Sequence, residues 1–142
     1  SRTFLQENGV PQEGLLSCTL YIVKMNSLRS VILPAISYSV YVDDIQISFK
    51  SCNLTVCERQ IQIGVNRLAK WADENSFKFN TDKTTSVLFS RRRGVHPDPC
   101  ILMNGQNLVI AKEQKILCVI FYSKLTFIQH IKQLKLKCLK TM

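Results

Sequence analysis

Ser39-Val-Tyr-Val-Asp-Asp-Ile-Gln-Ile-Ser48 carries two adjacent carboxylates, Asp43 and Asp44, between two alternating stretches. Tyr38, Val40 and Val42 fall on one face before the pair, and Ile45, Ile47 and Phe49 on one face after it. That period of two is the pattern of half-buried strands, so the stretch reads as a hairpin over 37–49 that turns at the acids. The turn chemistry is poor. A two-residue hairpin loop favours Asn-Gly or Asp-Gly because its central residues need positive φ, and neighbouring like charges repel unless a cation neutralises them. Paired acids that break a local rule mark a place where function can sit. An acidic dipeptide in an ordinary surface turn is the plain alternative.

Working outward, Gly9, Pro11 and Gly14 make 8–14 a loop. Leu16, Leu20, Val23 and Ser27 then recur at helical spacing, which predicts a helix over about 15–30 facing inward through those residues, until Pro34 breaks the pattern. After the hairpin, Thr55-Val-Cys-Glu58 fits a capping box, with Thr55 as the first cap of a second helix. Cys57, Ile61, Gly64, Leu68, Trp71 and Ala72 trace its inner face, and the helix closes near Asn75-Ser76. Phe77–Phe79 and Thr85–Ser90 read as strands around Asn80-Thr-Asp-Lys83, followed by the basic run Arg91-Arg-Arg93. Asn104-Gly105 is the strongest local hairpin signal, joining strands at 100–103 and 107–110. Lys115 to Phe121 is nearly continuously apolar and reads as a buried strand. A last helix over about 126–141 points Phe127, Ile131, Leu134 and Cys138 inward and carries Lys132, Lys135, Lys137 and Lys140 on a basic side. The sum is an α+β layout, an antiparallel sheet with helices on one face.

Composition narrows the function classes. The chain has 142 residues, enough for one domain with a real core, and 46% hydrophobic against 20% charged residues argues against disorder. Lys plus Arg number 19 against 10 acids, a net charge of +9, which favours a polyanionic partner such as nucleic acid. The six cysteines form no Cys-x-x-Cys pair, and His96 and His130 stand at no ligand spacing to them, which argues against zinc. Cysteines inside apolar runs, such as Cys118, suit a reducing and hence intracellular setting, nucleus or cytoplasm. The sequence shows neither a secretory signal nor an apolar run of membrane-spanning length. It starts in mid-pattern and ends on an uncapped helix, and so is expected to be part of something longer.

Four stretches in this order resemble the reverse transcriptases of non-LTR (LINE-type) retrotransposons, in particular those of arthropod elements. Asn8-Gly-Val-Pro-Gln12 with Leu15-Leu-Ser-Cys-Thr-Leu20 resembles the palm loop and helix that hold template and incoming nucleotide. Tyr41-Val-Asp-Asp44 resembles the catalytic hairpin. Trp71-Ala-Asp-Glu-Asn75 through Phe79-Asn80 and Lys83-Thr84 to Val87-Leu-Phe-Ser90 resembles the next palm segment. Lys115–Phe121 with Ser123-Lys-Leu-Thr-Phe127 resembles the primer-grip hairpin and thumb entry.

The resemblance implies a partial reverse transcriptase domain over 1–142. Residues 1–90 would be palm, 91–125 distal palm and primer-grip hairpins, and 126–142 the start of the thumb. It implies RNA-directed DNA synthesis by two magnesium ions, with an RNA template, a DNA primer and deoxynucleoside triphosphates as partners; no membrane or protein partner is indicated. Asp43 would be the main metal ligand and Asp44 a second one. Tyr41 and Val42 would lie beside the primer end, and Gly9, Pro11 and Gln12 would shape the pocket over the base pair. Lys83 would neutralise or protonate pyrophosphate, an exposed turn lysine being the alternative.

The departures are also legible. A polymerase palm needs a further metal-binding Asp on a strand before the loop at Gly9, and only Glu7 precedes that loop. Glu13 and Cys118 stand where the family has Gly, and Tyr122 where it has Asp. The expectation is a polymerase fragment inactive by itself; the alternative is a decayed remnant acting at most as a non-catalytic nucleic-acid-binding module.

Overall fold

The computed structural model describes residues 14–91 and 97–140, so the expectations at Glu7, Gly9, Pro11, Gln12, Glu13, Arg92 and Arg93 lie outside the described residues. The chain divides into two compact units, Ser1–Phe79 and Asn80–Met142.

In the first unit, helix α1 (Ser17–Asn26) runs into the single turn α2 (Leu28–Val31), followed by strands β1 (Ser37–Tyr41) and β2 (Asp44–Ser48) and the long helix α3 (Leu54–Glu74). The helix expected over 15–30 forms, but with a different face inward. Leu16, Leu20 and Val23 are exposed, while Met25 and Leu28 are buried and Tyr21 is half-buried. The segment is apolar on nearly every side, so spacing alone does not choose the face. Packing chooses it: Met25 and Leu28 join Leu68, Trp71 and Ala72 in the core, with Tyr21 against them, and the Trp71 indole N–H also donates to the Ser27 hydroxyl at 2.8 Å.

Helix α3 is amphipathic, with Gly64, Val65, Leu68, Trp71 and Ala72 buried. Its N-cap is Asn53 rather than Thr55: the Asn53 side chain accepts the Thr55 backbone N–H at 2.9 Å. Asn53 keeps the extended φ of −109° suited to a cap, which places Thr55 already inside the helix. The far end closes as expected near Asn75-Ser76. Ser76 takes the left-handed conformation at φ 58°, and the Phe77 N–H reaches back to the Ala72 carbonyl at 2.9 Å. This is the six-to-one bond of a Schellman closure, and its usual apolar contact is the Phe77 ring stacked on Trp71 at 5.1 Å. Phe77–Phe79 is therefore a packed closing segment, not a strand.

The core of this unit is Met25, Leu28, Ile32, Ile36, Leu68, Trp71 and Ala72, with Ile45 and Ile47 of β2 packed against it. Gly64 permits that approach. A Cβ there would stand 2.8 Å from Ile36 Cδ1 and 3.3 Å from Ile47 Cδ1.

In the second unit the ladders are short: β3 (Thr85–Ser86), β4 (Leu102–Met103), β5 (Gln106–Asn107), β6 (Val109–Ile110), β7 (Glu113–Ile116) and β8 (Val119–Tyr122), then α4 (Ile128–Lys140). The fold is α+β, and its described strands form four two-stranded ladders, of which β3–β6 is parallel and the others antiparallel. Asn104-Gly105 makes the expected turn between β4 and β5, both residues at positive φ (51° and 78°). Lys115–Phe121 is not one strand but a hairpin, as the family resemblance implies. Leu117 and Cys118 form its two-residue turn at φ 45° and 70°, flanked by the Ile116–Val119 pair.

The expected inner face of α4 is also revised. Phe127, Ile131, Leu134 and Cys138 are exposed; His130 is the half-buried residue, its Nδ1 accepting the Ile120 backbone N–H at 3.4 Å. Phe127 still meets Phe121 edge-on at 5.9 Å, and Phe121 meets Phe89 in the same way at 6.3 Å. Among the described residues no helix is long and apolar enough to cross a membrane.

Candidate active site

The register of the first hairpin fixes where its acids stand. Tyr38 pairs with Ile47, Val40 with Ile45 and Tyr41 with Asp44. Cross-strand partners share a face of the sheet, so the two apolar faces read from the sequence coincide and pack toward α3 through Ile45 and Ile47. The opposite face carries Ser37, Ser39, Tyr41, Asp44, Gln46 and Ser48. A shallow depression of about 160 Å³ lies on the hairpin, lined by Ser37, Tyr38, Ser39, Gln46 and Ser48.

The turn itself is displaced by one residue from the sequence reading. Its two central residues are Val42 and Asp43, whereas Asp44 is already the first residue of β2. Val42 stands at φ 53° and Asp43 is not in the positive-φ region, the pattern of a turn with only its first central residue left-handed. A β-branched residue there is strained, by about 1–3 kcal/mol. Val42 is 66% exposed, so its own packing does not hold it.

A partner from α1 does reach the turn: the Tyr21 hydroxyl donates to the Val42 carbonyl at 2.9 Å. The Tyr21 ring meets Phe77 edge-on at 6.4 Å, and Phe77 lies on Trp71. Burial raises the Tyr21 pKa above the usual phenol value, and the negative charge of Asp43 raises it further. Tyr21 was not singled out in the sequence; the signal available was its place four residues before Met25 on the buried side of α1.

Asp43 and Asp44 are both exposed at the tip of the hairpin, beside Tyr41, which is 60% exposed. Two adjacent carboxylates offer hard oxygen donors of the kind magnesium takes. Among the described residues no group of three or more His, Cys, Asp or Glu side chains is placed to hold a metal ion. Lys83 belongs to the second unit, in a turn closed by Asn80, whose side chain accepts the Lys83 N–H at 3.1 Å and whose carbonyl accepts the Thr84 hydroxyl at 2.8 Å. Its side chain is exposed.

The acid-tipped hairpin thus packs on α3 through β2 and follows α1 in the chain. The family described as "Reverse transcriptase (RNA-dependent DNA polymerase)" matches residues 1–136, and the chain belongs to it. Over 129 residues it is 27% identical to the "RNA-directed DNA polymerase from mobile element jockey" of Drosophila melanogaster, a match covering 87% of this chain and 14% of that relative. Together these matches support a LINE-type reverse transcriptase fragment, spanning a small part of the length of the relative. No solved structure gives a significant match.

Proposed function

We propose that this chain is the acid-hairpin part of a retrotransposon polymerase that copies RNA into DNA, with Asp43 and Asp44 as magnesium ligands. The observation that supports this most directly is the Val42–Asp43 turn, which presents two exposed carboxylates in a chain of the reverse transcriptase family. Divalent ions, when bound at such a site, activate the primer hydroxyl and stabilise the pyrophosphate leaving group. The chain's own share is positional. Asp43 and Asp44 supply oxygen ligands on a hairpin braced by α3, and Tyr41 flanks the primer end. Lys83 would offset charge on pyrophosphate, and Gly9, Pro11 and Gln12 would shape the pocket over the base pair. RNA template, DNA primer and deoxynucleoside triphosphates are the partners of this reading.

Two carboxylates do not complete a two-metal site, so the 142-residue chain is expected to give no primer extension alone. The decisive experiment replaces the matching segment of an active relative with residues 1–136. RNA-templated, magnesium-dependent extension that survives the exchange and disappears with Asp43→Ala supports the proposal; extension indifferent to Asp43→Ala sinks it. The second reading, a non-catalytic nucleic-acid-binding remnant, draws on the exposed Lys132, Lys135 and Lys137 of α4. It requires binding by the chain that weakens steeply as salt rises and an exchanged enzyme that is inactive.

A further inference from the structure

We infer that Tyr21 is a positioning residue for the acid pair, its hydroxyl holding the Val42–Asp43 turn in the backbone geometry that presents Asp43. The inference rests on the proposed role of the hairpin acids and adds to it the group that keeps them in place.

Three observations carry it. Val42 is a β-branched residue at φ 53°, a conformation it does not adopt by local preference. Its exposed side chain does not secure that conformation, and neither does glycine, which the turn lacks. What the structure places on the turn from outside the hairpin is the Tyr21 hydroxyl, 2.9 Å from the Val42 carbonyl and 21 residues away in sequence.

Tyr21 is itself held. Its ring meets Phe77 edge-on, Phe77 stacks on Trp71, and Trp71 is buried at 3% exposure in the core of the unit. A continuous path therefore runs from the closed end of α3 through two rings to the carbonyl that precedes Asp43. The Phe77 ring fixes where the phenol lies, and the phenol fixes where the peptide after Val42 points. Strained backbone persists where surrounding structure over-determines it, and here the determining contact is one hydrogen bond from α1.

The test is Tyr21→Phe in the full 142-residue chain, which keeps the ring and removes the hydroxyl. Nuclear magnetic resonance of the labelled protein reads the turn directly. The Val42 carbonyl and Asp43 amide should shift, and the Val42 amide–α coupling should leave its left-handed value, while resonances of Trp71 and Phe77 stay in place. Manganese binding followed by paramagnetic broadening at Asp43 should weaken by roughly two- to tenfold, the equilibrium effect of one neutral hydrogen bond. An unchanged Val42 coupling overturns the inference.

Asp43→Asn separates this outcome from failure of the metal reading. If that variant binds manganese as the parent does, Asp43 is not a ligand, and the Val42 coupling in Tyr21→Phe still decides the positioning. The unaltered chain gives a further check that needs no variant to fold. Nuclear Overhauser contacts between the Tyr21 ring protons and Val42 or Asp43 support the inference, and their absence overturns it.

Discussion

Replacing Cys118 by glycine should stabilise the second unit. Cys118 is the second central residue of the β7–β8 turn at φ 70°, with Leu117 before it at 45°. A side chain in the left-handed region costs roughly 1–2 kcal/mol relative to glycine. Glycine also enlarges the freedom of the unfolded chain, which takes back about 0.4–1 kcal/mol. Cys118 is exposed, so little packing is lost with its thiol. The net gain is about 0.5–1 kcal/mol, or roughly 2–4 °C in the melting midpoint for a chain of this size.

The β4–β5 hairpin supplies the opposite experiment. Gly105 stands at φ 78° with nothing within 4 Å of a Cβ built on it, so Gly105→Ala changes conformational preference without a clash. It should lose about 1 kcal/mol. Cys118→Ala, which removes the thiol but not the strain, should lie near zero. Urea unfolding of the three variants, with hydrogen exchange to localise the effect to each hairpin, reads all of this. If Cys118→Gly matches Cys118→Ala, the turn geometry is not what limits this hairpin and the reasoning fails.

Other expectations concern the first unit. Asn53→Ala should lower stability by about 1 kcal/mol by removing the α3 cap, while Thr55→Ala stays within roughly 0.5 kcal/mol; chemical denaturation distinguishes a cap at 53 from one at 55. Trp71→Ala should lose about 3–5 kcal/mol, as large aromatics buried in a core do, with loss of the helical circular-dichroism signal at lower urea. Tyr21 should ionise above the usual phenol range, and Asp43→Asn should bring it downward because one of the two causes of the rise is removed. A raised folded-state pKa means the folded chain holds this proton more tightly than the unfolded one. The contribution of Tyr21 to stability is thus full below the ordinary phenol pKa of about 10 and is lost as pH rises through the folded value. Phenolate absorbance in Tyr21→Phe and Asp43→Asn, set against the parent, assigns the transition.

What the sequence disclosed follows from which determinants are local. Asn104-Gly105 carries its turn geometry in its own residue types. The inner face of α3 is legible because a long helix repeats its pattern often enough to fix a phase. The strand alternation around Asp43 and Asp44 was readable for the same reason, whereas the coincidence of the two apolar faces follows from the pairing register. The turn one residue earlier was not, because Val42 takes a conformation contrary to its local preference and its external hydrogen bond comes from Tyr21. Leu117-Cys118 hid its hairpin in the same way, since neither residue announces a turn; the resemblance to family motifs supplied what residue chemistry withheld. The faces of α1 and α4 depended on what lies against them. In α1, apolar side chains on nearly all sides leave the phase open, and the core that Met25 and Leu28 join with Leu68 and Trp71 settles it.

Gly64 gives the hairpin's placement a hereditary side. The spacing between α3 and the strand that begins at Asp44 depends on a missing methyl group: alanine must push the tips of Ile36 and Ile47 aside, and a bulkier residue must move the strand. On the proposed role of Asp43 and Asp44, a single change at codon 64 to a bulky residue would displace the acids while leaving both of their codons intact. On that same reading, surviving aspartates alone would not mark a hairpin still in place; a small residue at position 64 would be needed beside them.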